Sequence, residues 1–258
     1  NNVKLHAYMI GTDVADAEDD SADKAVWGKS CHVYHGSDLT TSTMKDSGGR
    51  SRNGTKFSAN NPVEATGKIA KAQSFDGIDD FIDYGNAINL GTANFTIESI
   101  SKRTTGTYRI QRIDDYGQNG WYLNQSATSI GFYSALAGNY LSLVYTATID
   151  NTNFYYIAAK RATGTGYLRI NDTQQATGDI SHNITTAVPN LLAGKFYYAT
   201  TNYYFPGIGD EFRIWFEAKS DAWLKASYHS LFNTLVTIGA TETSISFLAN
   251  YLWWSGED

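Results

Sequence analysis

Apolar and polar residues alternate with a period of two through most of this chain. In "NFTIESI", Phe95 and Ile97 alternate with Thr96 and Glu98, the pattern of a half-buried β-strand. In "GIGDEFRIWF", Ile208, Phe212, Ile214 and Phe216 fall on one face together with Asp210, which predicts a strand with a carboxylate on its apolar side. "GYLRINDTQQATG" alternates Leu168 and Ile170 with Tyr167 and Arg169, and Asn171-Asp172 then reads as the turn of a hairpin. "NFYYIAAKRA" is apolar on both faces at its start, as a strand covered on both sides would be.

One segment changes period. In "KSDAWLKASYHSLF", Ser220 is a plausible N-cap, Asp221 sits in the first turn, and Leu224, Tyr228 and Leu231 recur at helical spacing. This predicts one short helix lying on a β-sandwich. The polar, Gly-rich stretch "TTSTMKDSGGRSRNGTKFSANNPVEATG" reads as surface loops between early strands. "GTDVADAEDDSADKA" concentrates acids and alanines without an apolar stripe and reads as a connector.

Composition narrows the function classes. The chain has 258 residues, 42% hydrophobic and 14% aromatic, enough for one large core. The formal net charge of −6 comes from dispersed acids, with no basic run to follow a phosphate backbone, so nucleic acid is not an expected partner. Cys31 is the single cysteine and forms no internal disulfide. No stretch approaches the roughly 20 uncharged apolar residues of a membrane helix, and no membrane insertion is expected. The chain begins "NNVKLHAYMIG", without an initiator Met, a basic n-region or a long apolar h-region. Any secretion signal is therefore expected to lie outside this sequence.

The order of motifs carries a resemblance. "KDSGGRSRNGT", "GKIAKAQSFDGIDDFIDYG", "NFTIESISKR", "GYLRINDTQ", "YFPGIGDEFRIW" and "EAKSDAWLKASYHSLFN" resemble, in succession, the signatures of concanavalin A-like, laminin G-type jelly-roll domains. The resemblance runs from about Val33 to about Thr243 and implies an all-β, two-sheet antiparallel jelly-roll β-sandwich with one short C-terminal helix. The expected organisation is an N-terminal extension over 1–30, the jelly-roll domain over 31–246 and a C-terminal tail over 247–258. The extension resembles the tail of an uncharacterised domain found before such modules in prokaryotic surface proteins, which points to a chain cut from a longer protein. Ile100, Asp172, Gly209 and Trp223 depart from the family pattern, where Trp, Gly, an aliphatic residue and Glu are usual.

Candidate chemistry centres on the aspartates. Glycoside hydrolases of this fold class use a Glu-x-Asp-x-x-Glu strand that sets two carboxylates about 5 Å apart. That motif does not occur here, nor do a Gly-x-Ser-x-Gly elbow or a His-Glu-x-x-His zinc helix, so the expectation is a protein that is not an enzyme. The resemblance implies instead that Asp76 and Asp210, with Asp46 able to approach, anchor one structural Ca2+, an ion that favours carboxylate and carbonyl oxygens. Turn chemistry is the alternative, and it alone accounts for Asp79, Asp80 and Asp83.

Carbohydrate recognition would use exposed aromatic rings beside amide and carboxylate groups. "DDYGQNGWYLNQS" supplies Tyr116, Trp121 and Tyr122, and "ATTNYYFPG" supplies Asn202 and Tyr203. Trp121 and Tyr122 are also the aromatics with which the family commonly opens a core strand. Sequons at Asn53, Asn94, Asn124, Asn171 and Asn183 fit an extracellular chain, although several arise by chance in such a composition. The expected role is a non-catalytic extracellular module, at a cell or virion surface, that binds a glycan or a surface protein. A structural subunit of an appendage, surface layer or virion is the alternative, with Trp253 and Trp254 of the tail as a candidate homo-oligomer contact.

Overall fold

The computed structural model describes residues 31–36, 42–57, 59–86, 88–106, 108–114, 119–185, 190–198 and 201–232. Two antiparallel sheets pack face to face. The first contains β1 (Cys31–Tyr34), β4 (Val63–Thr66), β5 (Lys71–Asp76), β7 (Phe95–Arg103), β12 (Tyr155–Ala162), β13 (Thr165–Ile170), β14 (Thr173–Asp179) and β18 (Pro206–Trp215). Its order is β14-β13-β12-β7-β18-β5-β4, with β1 pairing the C-terminal half of β18. The second contains β2 (Thr43–Met44), β3 (Gly54–Lys56), β6 (Ile82–Asn86), β8 (Tyr108–Asp114), β9 (Gly120–Gln125), β10 (Ser129–Leu136), β11 (Asn139–Thr146) and β15 (Asn190–Ala193). Its order is β11-β10-β9-β8-β15-β6-β3-β2. A separate hairpin joins β16 (Lys195–Tyr198) to β17 (Thr201–Tyr204), and α1 (Asp221–Leu231) lies against the outer face of the first sheet.

The alternation read along the chain fills the layer between the sheets. Phe95 and Ile97 of β7, Ile157 of β12, Phe132 of β10 and Ile214 of β18 belong to one buried cluster, and each such side chain contributes about 1.5–3 kcal/mol by leaving water. The opposite faces of β7 and β12 carry Ile100, Tyr156 and Ala158, which meet Leu224 and Leu231 of the helix. That second layer explains why β12 is apolar on both sides. Ser220 caps the helix by accepting from the Trp223 N–H, and Leu224 and Leu231, two turns apart, present one buried face. Asn171 takes a left-handed φ of 54° at the β13–β14 turn, completing the predicted hairpin.

Two expectations change. The stretch from 40 to 67 is not all loop, because it includes β2, β3 and β4. Asp210 does not share a face with Phe212 and Ile214. Asp210 pairs with Ile100 and Arg213 with Glu98, so β18 carries one extra residue against β7. Glu211, at φ 43°, absorbs that bulge. The phase shift puts both Asp210 and Arg213 on the outer face, with Ile100 and Glu98. The connector over 1–30, Tyr116 and the tail over 247–258 with Trp253 and Trp254 lie outside the described residues.

Candidate functional site

The acidic turn and the aromatic hairpin meet at one rim of the sandwich. Asp76 ends β5 and pairs with Pro206, the first residue of β18 and two residues past Tyr204. One ladder position therefore carries the turn on one strand and the hairpin on the next. In the turn, the Asp76 Oδ1 accepts from the N–H groups of Ile78 (2.7 Å) and Asp79 (3.3 Å), while Asp80 Oδ2 accepts from the Asp76 N–H at 2.8 Å. Gly77 has φ 79°, and a Cβ there would lie 2.7 Å from Pro206 Cβ, so this corner requires glycine. Burial first, then the charges of Asp76 and Asp79, raise the Asp80 carboxyl above its usual range.

The hairpin leaves the second sheet at Gly194, whose φ of 82° turns the chain where a Cβ would lie 2.4 Å from the Phe75 ring. Its base closes through the Phe205 N–H donating to the Gly194 carbonyl at 2.8 Å. Phe196 stacks on Tyr203 at 5.3 Å, leaving Tyr203 41% exposed beside the exposed Asn202. Lys195 places its Nζ 4.5 Å from the Phe81 ring and 5.7 Å from Tyr204, and Phe81 in turn meets the exposed Phe57 at 5.1 Å. Tyr204 lies close enough to Asp79 that burial and that carboxylate together raise its hydroxyl pKa. The rim thus sets aromatic faces, an ammonium and a group of carboxylates side by side.

Ligand atoms of Asp76, Asp79 and Asp80 all lie within 4.8 Å of one another. Oxygens bound to calcium at 2.3–2.6 Å stand at most about 5 Å apart, so this set fits that ion.

The other residues singled out in the sequence are placed elsewhere. Asp46 is buried and accepts from the N–H groups of Val33, Gly48 and Arg52 at 2.8–2.9 Å, and it pairs with His32 Nδ1 at 2.7 Å. Four partners use the acceptor capacity of a carboxylate, so Asp46 organises its loop. Asp210 stands four residues along β18 from Pro206, about 13 Å from the turn at strand rise. The three carboxylates do not form one ligand set. Trp121 is 1% exposed and packs against Phe132 in the core, so it has no ring face to offer a sugar. Tyr122 lies on the outer face of the second sheet, 9% exposed, stacked on Tyr133 at 4.7 Å.

Asp210 has a distinct environment. Its Oδ2 accepts from the N–H groups of Lys68 (2.8 Å) and Ile69 (3.0 Å), whereas Oδ1 has no hydrogen-bond partner among the described residues. A cavity of about 30 Å³ beside it is bounded by Gln73, Ser99 and Glu211 among others. Burial first, then the Glu211 charge, push the Asp210 carboxyl up to about 7. A folded pKa raised above the unfolded value near 3.9 contributes stability that is complete below pH 4 and is lost as pH rises through 7. Asp210→Asn mimics the protonated acid. Its melting temperature relative to the wild type is expected to climb between pH 4 and pH 8, by the equivalent of up to about 4 kcal/mol. Thermal denaturation across that range checks this, and a constant difference would show that Asp210 stays ionised.

Sequence reasoning passed over Lys195, Phe57 and Phe81, and it read Asp79 and Asp80 as turn residues alone. A run of tyrosines around a lysine was the only signal available for the hairpin.

No protein-family model matches the chain, and no curated protein matches it. Among solved structures, the binding domain of Paraclostridial Mosquitocidal Protein 1 superposes with a TM-score of 0.64 at 14% identity, over 78% of this chain and 52% of that one. The binding domain of botulinum neurotoxin DC, in complex with rat synaptotagmin II, gives 0.57 at 12% identity, over 78% and 51%. Domain 4 of AbnA, a GH43 extracellular arabinanase from Geobacillus stearothermophilus, in complex with arabinotriose, gives 0.52 at 16% identity, over 67% and 83%. The chain spans about half the length of the two toxin domains. At these identities the likeness is one of fold, and the protein is an all-β, two-sheet sandwich.

Proposed function

We propose that this protein is a non-catalytic extracellular recognition module that binds glycans at the rim between the acidic turn and the aromatic hairpin. The observation that carries the reading is the exposed pair Asn202 and Tyr203 on a hairpin whose next residue, Tyr204, approaches Asp79 of the three-aspartate turn. An aromatic face stacks on the apolar side of a sugar while the polar groups order its hydroxyls. In this reading a Ca2+ held by the three aspartates stiffens the turn and supplies a Lewis-acidic contact for vicinal hydroxyls. The arabinotriose complex of the AbnA domain supports a glycan as the ligand class. A protein partner is the second reading, favoured by Ile78 (72% exposed) and Phe57 (43%) on the same rim, and supported by the synaptotagmin complex of a toxin domain.

A glycan array probed in calcium and again in EDTA tests both. The expected result is selective binding that EDTA abolishes, weakened about tenfold by Tyr203→Ala, the equivalent of roughly 1.4 kcal/mol. Asp79→Asn should remove the calcium dependence, and calcium should raise the melting temperature of the wild type but not of this variant. Binding that survives EDTA removes the ion from the reading. A blank array in both conditions shifts it to the protein partner.

A further inference from the structure

On the outer face of the first sheet, at the entry to α1, the side chain of Lys219 fills a corner between two indoles. Its Nζ lies 3.9 Å from the centroid of a Trp215 ring and 5.0 Å from that of Trp223. The ring planes stand at 72° with centroids 5.1 Å apart, so they wall the ammonium on two sides. The carboxylate of Glu217 closes a third side, 2.5 Å away.

The walls are held by the fold, and the lysine ammonium by the two ring faces and one ion pair. Trp215 is 4% exposed, and its Nε1 donates to Glu98 at 2.6 Å. Trp223 sits in the capped first turn of α1. The Lys219 backbone is also held, its N–H donating to Thr96 Oγ1 and its carbonyl accepting from Lys160 Nζ. Its ammonium, in contrast, is tied by an ion pair to a Glu217 side chain that is 54% exposed. The Lys219 side chain is itself 16% exposed, so solvent screens the pair from the Glu217 side, and an external cation would have to displace the lysine stem while the corner keeps its shape.

Two crossed aromatic faces with a carboxylate suit a cation whose hydration is weak. The ring quadrupoles attract the charge, and N-methyl groups pack on the indoles while having little water to lose. We propose that Trp215, Trp223 and Glu217 form a binding site for an alkylated ammonium group, one that Lys219 occupies from within and yields to an external cation. The site lies eight residues along β18 from Gly207, at the opposite end of the strand from the rim, and does not depend on glycan binding.

The test titrates the full chain with tetramethylammonium chloride against equal sodium chloride, followed by the indole N–H NMR signals and by calorimetry. A saturable shift of the Trp215 and Trp223 signals is expected in the wild type. Lys219→Ala should tighten binding at least tenfold, and adding Trp223→Ala should abolish it. If Lys219→Ala does not fold, the wild-type titration reads the same exchange. Choline and a trimethyllysine peptide, titrated in parallel, distinguish a small-molecule or lipid headgroup from a modified protein as the source. No saturable response in the wild type, or one that Lys219→Ala leaves unchanged, overturns the proposal.

Discussion

Arg161→Met is expected to destabilise the fold by about 3–5 kcal/mol. Arg161 is fully buried on the inner face of β12, and among the described residues its guanidinium donates to backbone carbonyls. Nε reaches Ala93 at 2.9 Å, one terminal nitrogen reaches Ile180 and His182 at 3.1 and 3.0 Å, and the other reaches Gly91 at 2.7 Å as well as Leu90 and Ala93. These carbonyls belong to two segments, 90–93 and 180–182, outside the two main sheets, where Gly91 O also accepts from the Ile184 N–H and Leu90 O from the Ala93 N–H. One side chain therefore stitches both segments to the sheet. Methionine fills a similar volume but leaves several acceptors dry, and each buried group without a partner costs about 1–3 kcal/mol, less than additively. Arg161→Lys should recover part of the loss, because an ammonium carries three donors in place of a planar fork of five.

Urea denaturation measures the cost, and a loss below about 1 kcal/mol would falsify the stitching role. A second readout is independent of stability. His182 is held below the usual histidine range by burial first and by the Arg161 charge second. Removing that charge should move the His182 titration upward while leaving part of the depression in place.

Glu98→Ala is expected to cost about as much, 3–5 kcal/mol, and to loosen the helix in particular. Glu98 is 1% exposed on the outer face of β7, beneath α1. Its carboxylate accepts from the Tyr156 hydroxyl at 2.5 Å, the Trp215 indole at 2.6 Å and the Ser227 hydroxyl of the helix at 3.0 Å. Arg213, which pairs with Glu211 at 2.6 Å, is a fourth favourable neighbour whose pKa Glu98 helps to raise. Alanine would strand three buried donors and leave a void. Glu98→Gln keeps the volume but faces its N–H2 toward a donor, so a smaller loss of about 1–3 kcal/mol is expected.

A double-mutant cycle with Ser227→Ala isolates the sheet-to-helix bond, and a coupling near zero would mean that apolar packing alone docks α1. The network also bears on the ammonium corner, since Glu98 fixes the Trp215 indole. Hydrogen exchange in α1 should rise in Glu98→Ala before global unfolding does.

Much of the architecture was legible from local pattern. Phe95 and Ile97 alternate because one face of β7 meets the opposite sheet, and Ser220 caps α1 because a hydroxyl can take the orphan Trp223 N–H. Both are short-range effects that a linear pattern records. Asp210 shows where this reading stops. A constant period of two assigned it to the core face, and a single bulged residue at Glu211 reversed that assignment. Gly207 and Gly209 just before it signal that a bulge is allowed, but not where it falls.

The candidate site divides in the same way. The residue types were visible as an Asp-Gly turn and a tyrosine-rich hairpin, because Asx turns and exposed aromatics are properties of short segments. Asp46 and Trp121 were equally good on type, yet both are buried, Asp46 among four partners and Trp121 against Phe132. Burial is a sum over distant segments, so it could not be read at either position.

By itself, then, the sequence determined the class of fold, the packed helix over 221–231 and the chemistry available at each turn, since these follow from side-chain period, capping and backbone freedom within a few residues. Only the tertiary structure decided which carboxylates stand together. Asp76 meets the hairpin because β5 pairs with the start of β18, and it is parted from Asp210 by four residues of that ladder. Long-range strand register sets those distances, and register is fixed by the packing of both sheets at once rather than by any one stretch of chain.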